Sequence, residues 1–180
     1  IAALFQISVD ELLSNEKSEK KQSAYNYQSP TEYDIDGKKN FDIKLRGAYA
    51  VDLKAYHGEK IEVAMFSNVY KNLLADYKVK IDDIKNRIDI DLNRFNEASE
   101  ADAKESLVIT IFIPVKYIGK IELSVNAGTL NITDIENEHI EVNGKISEVT
   151  LQGNKSEIEI DSNLDMQISV LSHEGALEIN

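Results

Sequence analysis

Ile121-Glu-Leu123-Ser-Val-Asn126-Ala-Gly128-Thr-Leu130-Asn-Ile132 opens the most regular part of this 180-residue chain. Two apolar-x-apolar pairs, 121/123 and 130/132, stand nine residues apart, and between them Asn126-Ala-Gly128 suits a corner that needs small side chains or positive φ. The pattern continues at 140/142, 149/151, 158/160, 168/170 and 177/179, with Asn143-Gly144, Gly153-Asn154 and Glu174-Gly175 between pairs. Successive starts are 9, 10, 9, 9, 10 and 9 residues apart, so alternate pairs recur every 18 or 19 residues. Period-two alternation puts both members of a pair on one face of a strand. Two short strands per coil of about 19 residues predict a solenoid. Short strands eight to twelve residues apart also suit an antiparallel sandwich or barrel. The constant interval over seven pairs favours the solenoid, because hairpin loops vary in length.

Upstream the period is again two. Phe41, Ile43 and Leu45, then Val51 and Leu53, then Ile61 and Val63 read as half-buried strands separated by Gly-containing turns. Val69, Tyr70, Leu73, Leu74 and Tyr77 recur at helical spacing and predict one short helix over residues 68–76. Strands resume at Tyr77, Val79 and Ile81 and at Ile88, Ile90 and Leu92, with Asp82-Asp83 and Lys85-Asn86 supplying the turn. Phe95 to Ser106 is polar and reads as a protruding loop. Leu107 to Ile113 is apolar at nearly every position, which predicts a strand covered on both faces, and Pro114 ends its ladder. Residues 17–32 read as a linker, polar and charged from Lys17 to Ser29, and residues 33–180 as the all-β domain.

Leu107-Val-Ile-Thr-Ile-Phe-Ile-Pro114, followed by Ile121 to Ile132, resembles the putative-adhesin family of bacterial β-solenoids. That family shows a strand ending in Ile-Pro, a small-residue turn with Gly, and repeating apolar pairs. The resemblance covers about residues 35–180 and implies a right-handed β-helix-like fold with no catalytic residues to carry over. It also implies that such domains occur behind cytoplasmic DNA-binding domains as well as at cell surfaces. The turn here, Asn126-Ala-Gly128-Thr-Leu130, departs from the commoner Ser/Thr-Gly-Asp/Asn arrangement.

Residues 1–16, Ile-Ala-Ala-Leu-Phe-Gln-Ile-Ser-Val-Asp-Glu-Leu-Leu-Ser-Asn-Glu, predict a short helical stub ahead of the β domain. Ser8 and Glu11 form a capping box, and Ile7 and Leu12 have the spacing of a hydrophobic staple, so a helix begins at Val9. The order of apolar run, turn and Ser-Val-Asp-Glu-Leu-Leu helix resembles the last two helices of the lambda-repressor-like helix-turn-helix domain in the Xre family of bacterial regulators. The resemblance implies that the parent protein is a transcription regulator that binds DNA through residues ahead of Ile1. On this reading the chain is a fragment, in keeping with the missing start methionine.

Net charge is −12, and residues 116–180 carry most of it, with four lysines against twelve carboxylates, −8 in all. Nucleic-acid binding draws on cations that neutralise phosphates, so this third should repel DNA. No DNA-binding residue is expected within the chain. There is no cysteine, which excludes disulfides and thiolate metal sites and fits a reducing cytoplasm. No apolar run approaches the roughly 18 residues of a membrane span.

His57, His139 and His173 lie far apart, none with a second His or Cys at metal-ligand spacing, and read as exposed turn residues. Asp89 and Asp91, like Glu157, Glu159 and Asp161, alternate with apolar residues and fall on outward faces. A calcium ladder would need Gly-Gly-x-Gly-x-Asp repeats, which do not occur. Asn131-Ile-Thr133 and Asn154-Lys-Ser156 match the glycosylation pattern, which matters only in a secreted protein. A carbohydrate-active β-helix enzyme would need clustered carboxylates and bases, whereas the acidic third offers only Lys116, Lys120, Lys145 and Lys155 as cations. No nucleophile elbow, P-loop or His-Glu-x-x-His motif occurs. No catalytic, cofactor-binding or metal-binding residue is therefore expected.

The function these features predict is non-catalytic: a sensing, oligomerisation or partner-binding domain of a cytoplasmic regulator, which could pair as a homodimer and engage an unidentified ligand or protein. The alternative is a cell-surface, adhesin-like binding domain, which would need an export signal. No basic-then-apolar stretch of that kind is present in the chain.

Overall fold

The computed structural model describes residues 25–96, 98–163 and 165–180, so the stub expected at residues 1–16 lies outside the described residues. All twelve described strands join one sheet, in agreement with the all-β expectation, and the sheet does not close on itself. In chain order they are β1 (Tyr27–Asp34), β2 (Lys39–Tyr56), β3 (Lys60–Ser67), β4 (Tyr77–Ile84), β5 (Arg87–Arg94) and β6 (Val108–Pro114). They continue as β7 (Ile118–Thr133), β8 (Glu136–Gln152), β9 (Asn154–Ser162), β10 (Gln167–Val170), β11 (His173–Glu174) and β12 (Leu177–Ile179). Helix α1 (Leu73–Asp76) precedes β4, and helix α2 (Glu100–Ser106) precedes β6.

The pairs read from the sequence align directly. Ile121 lies opposite Ile140, Leu130 opposite Val149, Ile140 opposite Ile158, Val149 opposite Ile168 and Ile158 opposite Leu177. All these pairings are parallel, with partners 18 or 19 residues apart. The corners are bends inside continuous strands: β2, β7 and β8 each run 16 to 18 residues through one. Each long strand thus contributes its first half to one ladder and its second half to another. The first ladder runs β4, β5, β2, β7, β8, β9, β12, and the second runs β1, β3, β6, β2, β7, β8, β10.

Inward side chains of both ladders form one buried cluster that includes Ile43, Leu123, Val142 and Ile160 from the first and Leu53, Ile111, Ile132 and Leu151 from the second. Each such residue contributes roughly 1.5–3 kcal/mol on burial, most of which conformational entropy offsets, so the stack holds as a cooperative unit. Polar braces tie successive levels together. The buried Asn154 donates to the carbonyl of Ile132 at 2.8 Å and accepts from the amide of Ile135 at 3.0 Å. Asn137 donates to the Gly119 carbonyl at 2.8 Å and accepts from the Ser156 hydroxyl at 2.6 Å.

Four expectations need correction. The end of the linker at residues 27–32 is strand: β1 pairs antiparallel with β3 on the sheet's edge, where the exposed Pro30 costs no ladder bond. Upstream, β1 with β3, β3 with β6 and β4 with β5 pair antiparallel, the arrangement that the sequence left as the alternative. The tight turn at Lys85-Asn86 can join only antiparallel neighbours. The helix expected over residues 68–76 shrinks to α1, because the Ser67 hydroxyl takes the amides of Val69 and Tyr70 into a local turn instead. Finally, the loop expected from Phe95 to Ser106 contains α2. Ser99 caps it by accepting from the Asp102 amide at 3.1 Å, and Ala103 is fully buried.

Candidate interaction surface

The outward face of the first ladder carries one row of carboxylates. Register places Asp82 opposite Asp89, Asp89 opposite Asp42, Asp42 opposite Glu122, Glu122 opposite Glu141, Glu141 opposite Glu159 and Glu159 opposite Glu178. Neighbouring strands lie about 4.8 Å apart, so seven like charges stand in file. Such opposition destabilises a sheet unless it is compensated.

Compensation covers only one end of the row. Lys80 pairs with Asp82, Arg87 grips Asp89 with Nε and Nη2 at 2.6 and 3.0 Å, and Lys44 meets Asp42 at 2.8 Å. Each of these carboxylates accepts a hydrogen bond that holds its cation above the ordinary pKa for its type. Among the described residues, Glu122, Glu141, Glu159 and Glu178 show no ion pair. Glu141 accepts only from Asn143 at 2.7 Å, and Glu159 from Asn180 at 3.3 Å. The second ladder is different: Thr110, Asp52 and Asn131 form a hydrogen-bonded set there, with Thr150 and Ser169 next in line.

A cation placed in the uncompensated half should relieve it. Glu141→Lys sets one between Glu122 and Glu159 and should stabilise the chain by about 0.5 kcal/mol at low salt, with the gain shrinking in 0.5 M NaCl. Thermal unfolding at two ionic strengths checks this, and an unchanged or lower midpoint at low salt would refute it.

The row reaches Glu178 on β12. The inward side chains of β10 and β12 sit above buried partners yet keep much of their exposure, 48% at Val170 and 49% at Ile179. Ser162, Asn163, Asp165, Met166, Ile168 and Ile179 line an open groove between the two strands. Ile158 donates to the Ala176 carbonyl and Asn180 to the Ile160 carbonyl, so the intervening Leu177 and Ile179 turn their own N–H and C=O groups away from β9. Leu171 donates to the Leu151 carbonyl, and Ile168 and Val170 likewise point their backbone groups outward from β10.

The structure does not gather the sequence's candidate residues into one site. His57 is exposed at the β2–β3 turn, His139 lies on β8 opposite Glu157, and His173 sits in β11. Among the described residues, no group of three or more His, Cys, Asp or Glu is placed to hold a metal ion. Asn131 and Asn154 spend their side chains on internal hydrogen bonds, to Asp52 and Ile132. Asp89, Asp91, Glu157, Glu159 and Asp161 lie on strands with partly or fully exposed side chains, as expected. What the sequence reading missed is the file joining Asp89 and Glu159 to Asp42, Glu122, Glu141 and Glu178. The signal was present, since the middle residue of every pair in one alternate series is Glu, at 122, 141, 159 and 178. In the other series it is Asn131, Thr150 and Ser169.

A largely parallel β stack with one acidic face defines the class. The crystal structure of a putative cell adhesion protein from Clostridium sporogenes has a similar fold. Its TM-score is 0.51 at 10% identity, covering 86% of this chain and 98% of that one. A putative adhesin from Parabacteroides merdae matches at a TM-score of 0.33 and 11% identity, over 86% of this chain and 97% of that one. No family model and no curated protein matches the chain. Among the described residues, no helix is long and apolar enough to cross a membrane.

Proposed function

We propose that this chain is a non-catalytic partner-binding module, and that its parallel stack is a right-handed β-helix-like solenoid of about 19 residues per coil. The observation that carries the reading is the outward file of Glu122, Glu141, Glu159 and Glu178, none of which shows an ion pair among the described residues. Like charges in file on a sheet face favour a partner that brings cations to them. Polylysine, as the probe, should therefore bind the chain more tightly at low salt than in 0.5 M NaCl, and less tightly once Glu122→Gln, Glu141→Gln and Glu159→Gln are combined. Equal binding of polylysine by the triple variant and the wild type would overturn the reading.

The setting we propose is a cytoplasmic helix-turn-helix regulator, on the strength of residues 1–16, with DNA contacted by residues ahead of Ile1. The −8 charge of residues 116–180 supports a division of labour in which this module holds no DNA. The chain alone should leave duplex DNA unshifted in a gel at 0.15 M salt, and submicromolar retardation would count against that division. A second reading, an adhesin-like surface domain, is favoured by the fold shared with the putative cell adhesion protein of Clostridium sporogenes.

A further inference from the structure

We infer that the first ladder takes up one more strand beside β4, from a partner segment in which acidic residues alternate with apolar ones. The site is separate from the uncompensated glutamates of the row, and β4 is an internal strand, so its edge is not a chain terminus. At this end the two ladders differ in length. β4 stands two places from β2 in the first, through β5, whereas the second runs two places to β3 and a third to β1. A place is left beside β4, over the inward face of β1. Tyr27 and Tyr33 of β1 and Val79 and Ile81 of β4 pack on the core around it yet are only partly buried.

Backbone groups point into that place. Phe95 donates to the Asp76 carbonyl, and the tight turn at Lys85-Asn86 closes on Ile84 and Arg87, so the even-numbered residues of β4 spend their N–H and C=O groups on β5. Val79, Ile81 and Asp83 turn theirs away, and among the described residues no hydrogen bond takes them up. An added strand pairs through these residues and brings apolar side chains against Val79 and Ile81. The outward residues set its charge. Lys78 is exposed and shows no ion pair among the described residues, while the exposed Lys80 is shared with Asp82 on its own strand. Edge lysines repel strands of like charge and keep out indiscriminate pairing. Carboxylates opposite Lys78 and Lys80 become cross-strand partners instead, so the strand admitted has an acidic-apolar-acidic pattern. A second copy is obstructed, because twofold pairing of β4 with β4 drives β1 of each copy into the place that β3 of the other must take.

Hydrogen exchange and fluorescence anisotropy on the whole chain test this. In the free chain the amides of Val79, Ile81 and Asp83 should exchange well ahead of those of Lys80 and Asp82. Equally slow exchange would show the edge to be covered already and overturn the proposal. Fluorescein-labelled Thr-Val-Glu-Val-Glu-Val-Thr should bind and slow exchange at those three amides. It should bind roughly three- to tenfold more tightly than Thr-Val-Thr-Val-Thr-Val-Thr, the effect of opposite charge at two cross-strand positions. That preference should shrink in 0.5 M NaCl and in Lys78→Glu, whose exposed position leaves the fold intact. Equal binding of the two peptides, binding of neither at millimolar concentration, or protection confined to other strands would each overturn the proposal. Micromolar self-association abolished by Ile81→Lys would identify a second copy as the occupant and overturn it too. Polylysine reads the glutamate row, so failure here and failure of the partner-binding reading are told apart.

Discussion

Ile160→Asp unfolds the first ladder, whereas Glu159→Ala, one residue away, shifts stability by no more than about 0.5 kcal/mol. Ile160 is fully buried, aligned with Val142 in the core, and surrounded by apolar side chains from both ladders. A carboxylate there has no cation to pair with and must either stay charged in an apolar interior or take up a proton at a cost. At least about 4 kcal/mol is lost, a large share of the stability of a domain this size. Glu159 faces solvent in the crowded row, and its removal gives up one 3.3 Å hydrogen bond from Asn180 while relieving repulsion. Thermal unfolding followed by circular dichroism compares the two. Similar midpoints for both variants would mean that the inward and outward registers are wrongly assigned.

Gly144→Ala is expected to be nearly as damaging, for a reason that lies in the backbone. Gly144 sits in the corner of β8 at φ +151, and a Cβ there would stand 1.7 Å from the carbonyl oxygen of Val125 on the adjoining strand. That oxygen belongs to the ladder and cannot swing aside as a flexible side chain could. The corner must open, and the loss should reach about 3 kcal/mol or more. Gly37→Ala is the control: no heavy atom lies within 4 Å of its added Cβ, so the change should stay within about 0.5 kcal/mol. Urea midpoints for the wild type and the two variants decide the matter, and an undisturbed Gly144→Ala would refute the close approach.

The contrast between these glycines shows how far the sequence could be read. Asn143-Gly144 was legible as a corner, because Gly between two apolar pairs has few other uses. That the corner is a bend within a continuous strand, pressed against the Val125 carbonyl, depends on how closely successive levels stack. Asn154 teaches the same lesson. Its sequence context matches a glycosylation acceptor, yet its buried amide bridges Ile132 and Ile135 across neighbouring coils. A residue's partners 19 to 22 positions away are set by the stacking interval, and a motif of three residues carries no information about them.

From Phe41 onward, the inward faces of the strands and the 18- or 19-residue interval follow from the sequence alone, because period-two alternation is local chemistry and the interval is a property of one dimension. Ten of the fourteen pair residues, those between Ile121 and Ile160, are at most 2% exposed, as that alternation requires. The exceptions are Ile168, Val170, Leu177 and Ile179, whose alternation is equally good but whose strands pair on one side only among the described residues. Tertiary structure alone decided the antiparallel pairing upstream, the docking of α2 through Ala103, and the assembly of Asp82, Asp89 and Asp42 with four distant glutamates into a single row. Strand order arises from the path of the whole chain and from which apolar faces can be buried together. Charges far apart in the sequence therefore become neighbours about 4.8 Å apart only once that path is complete.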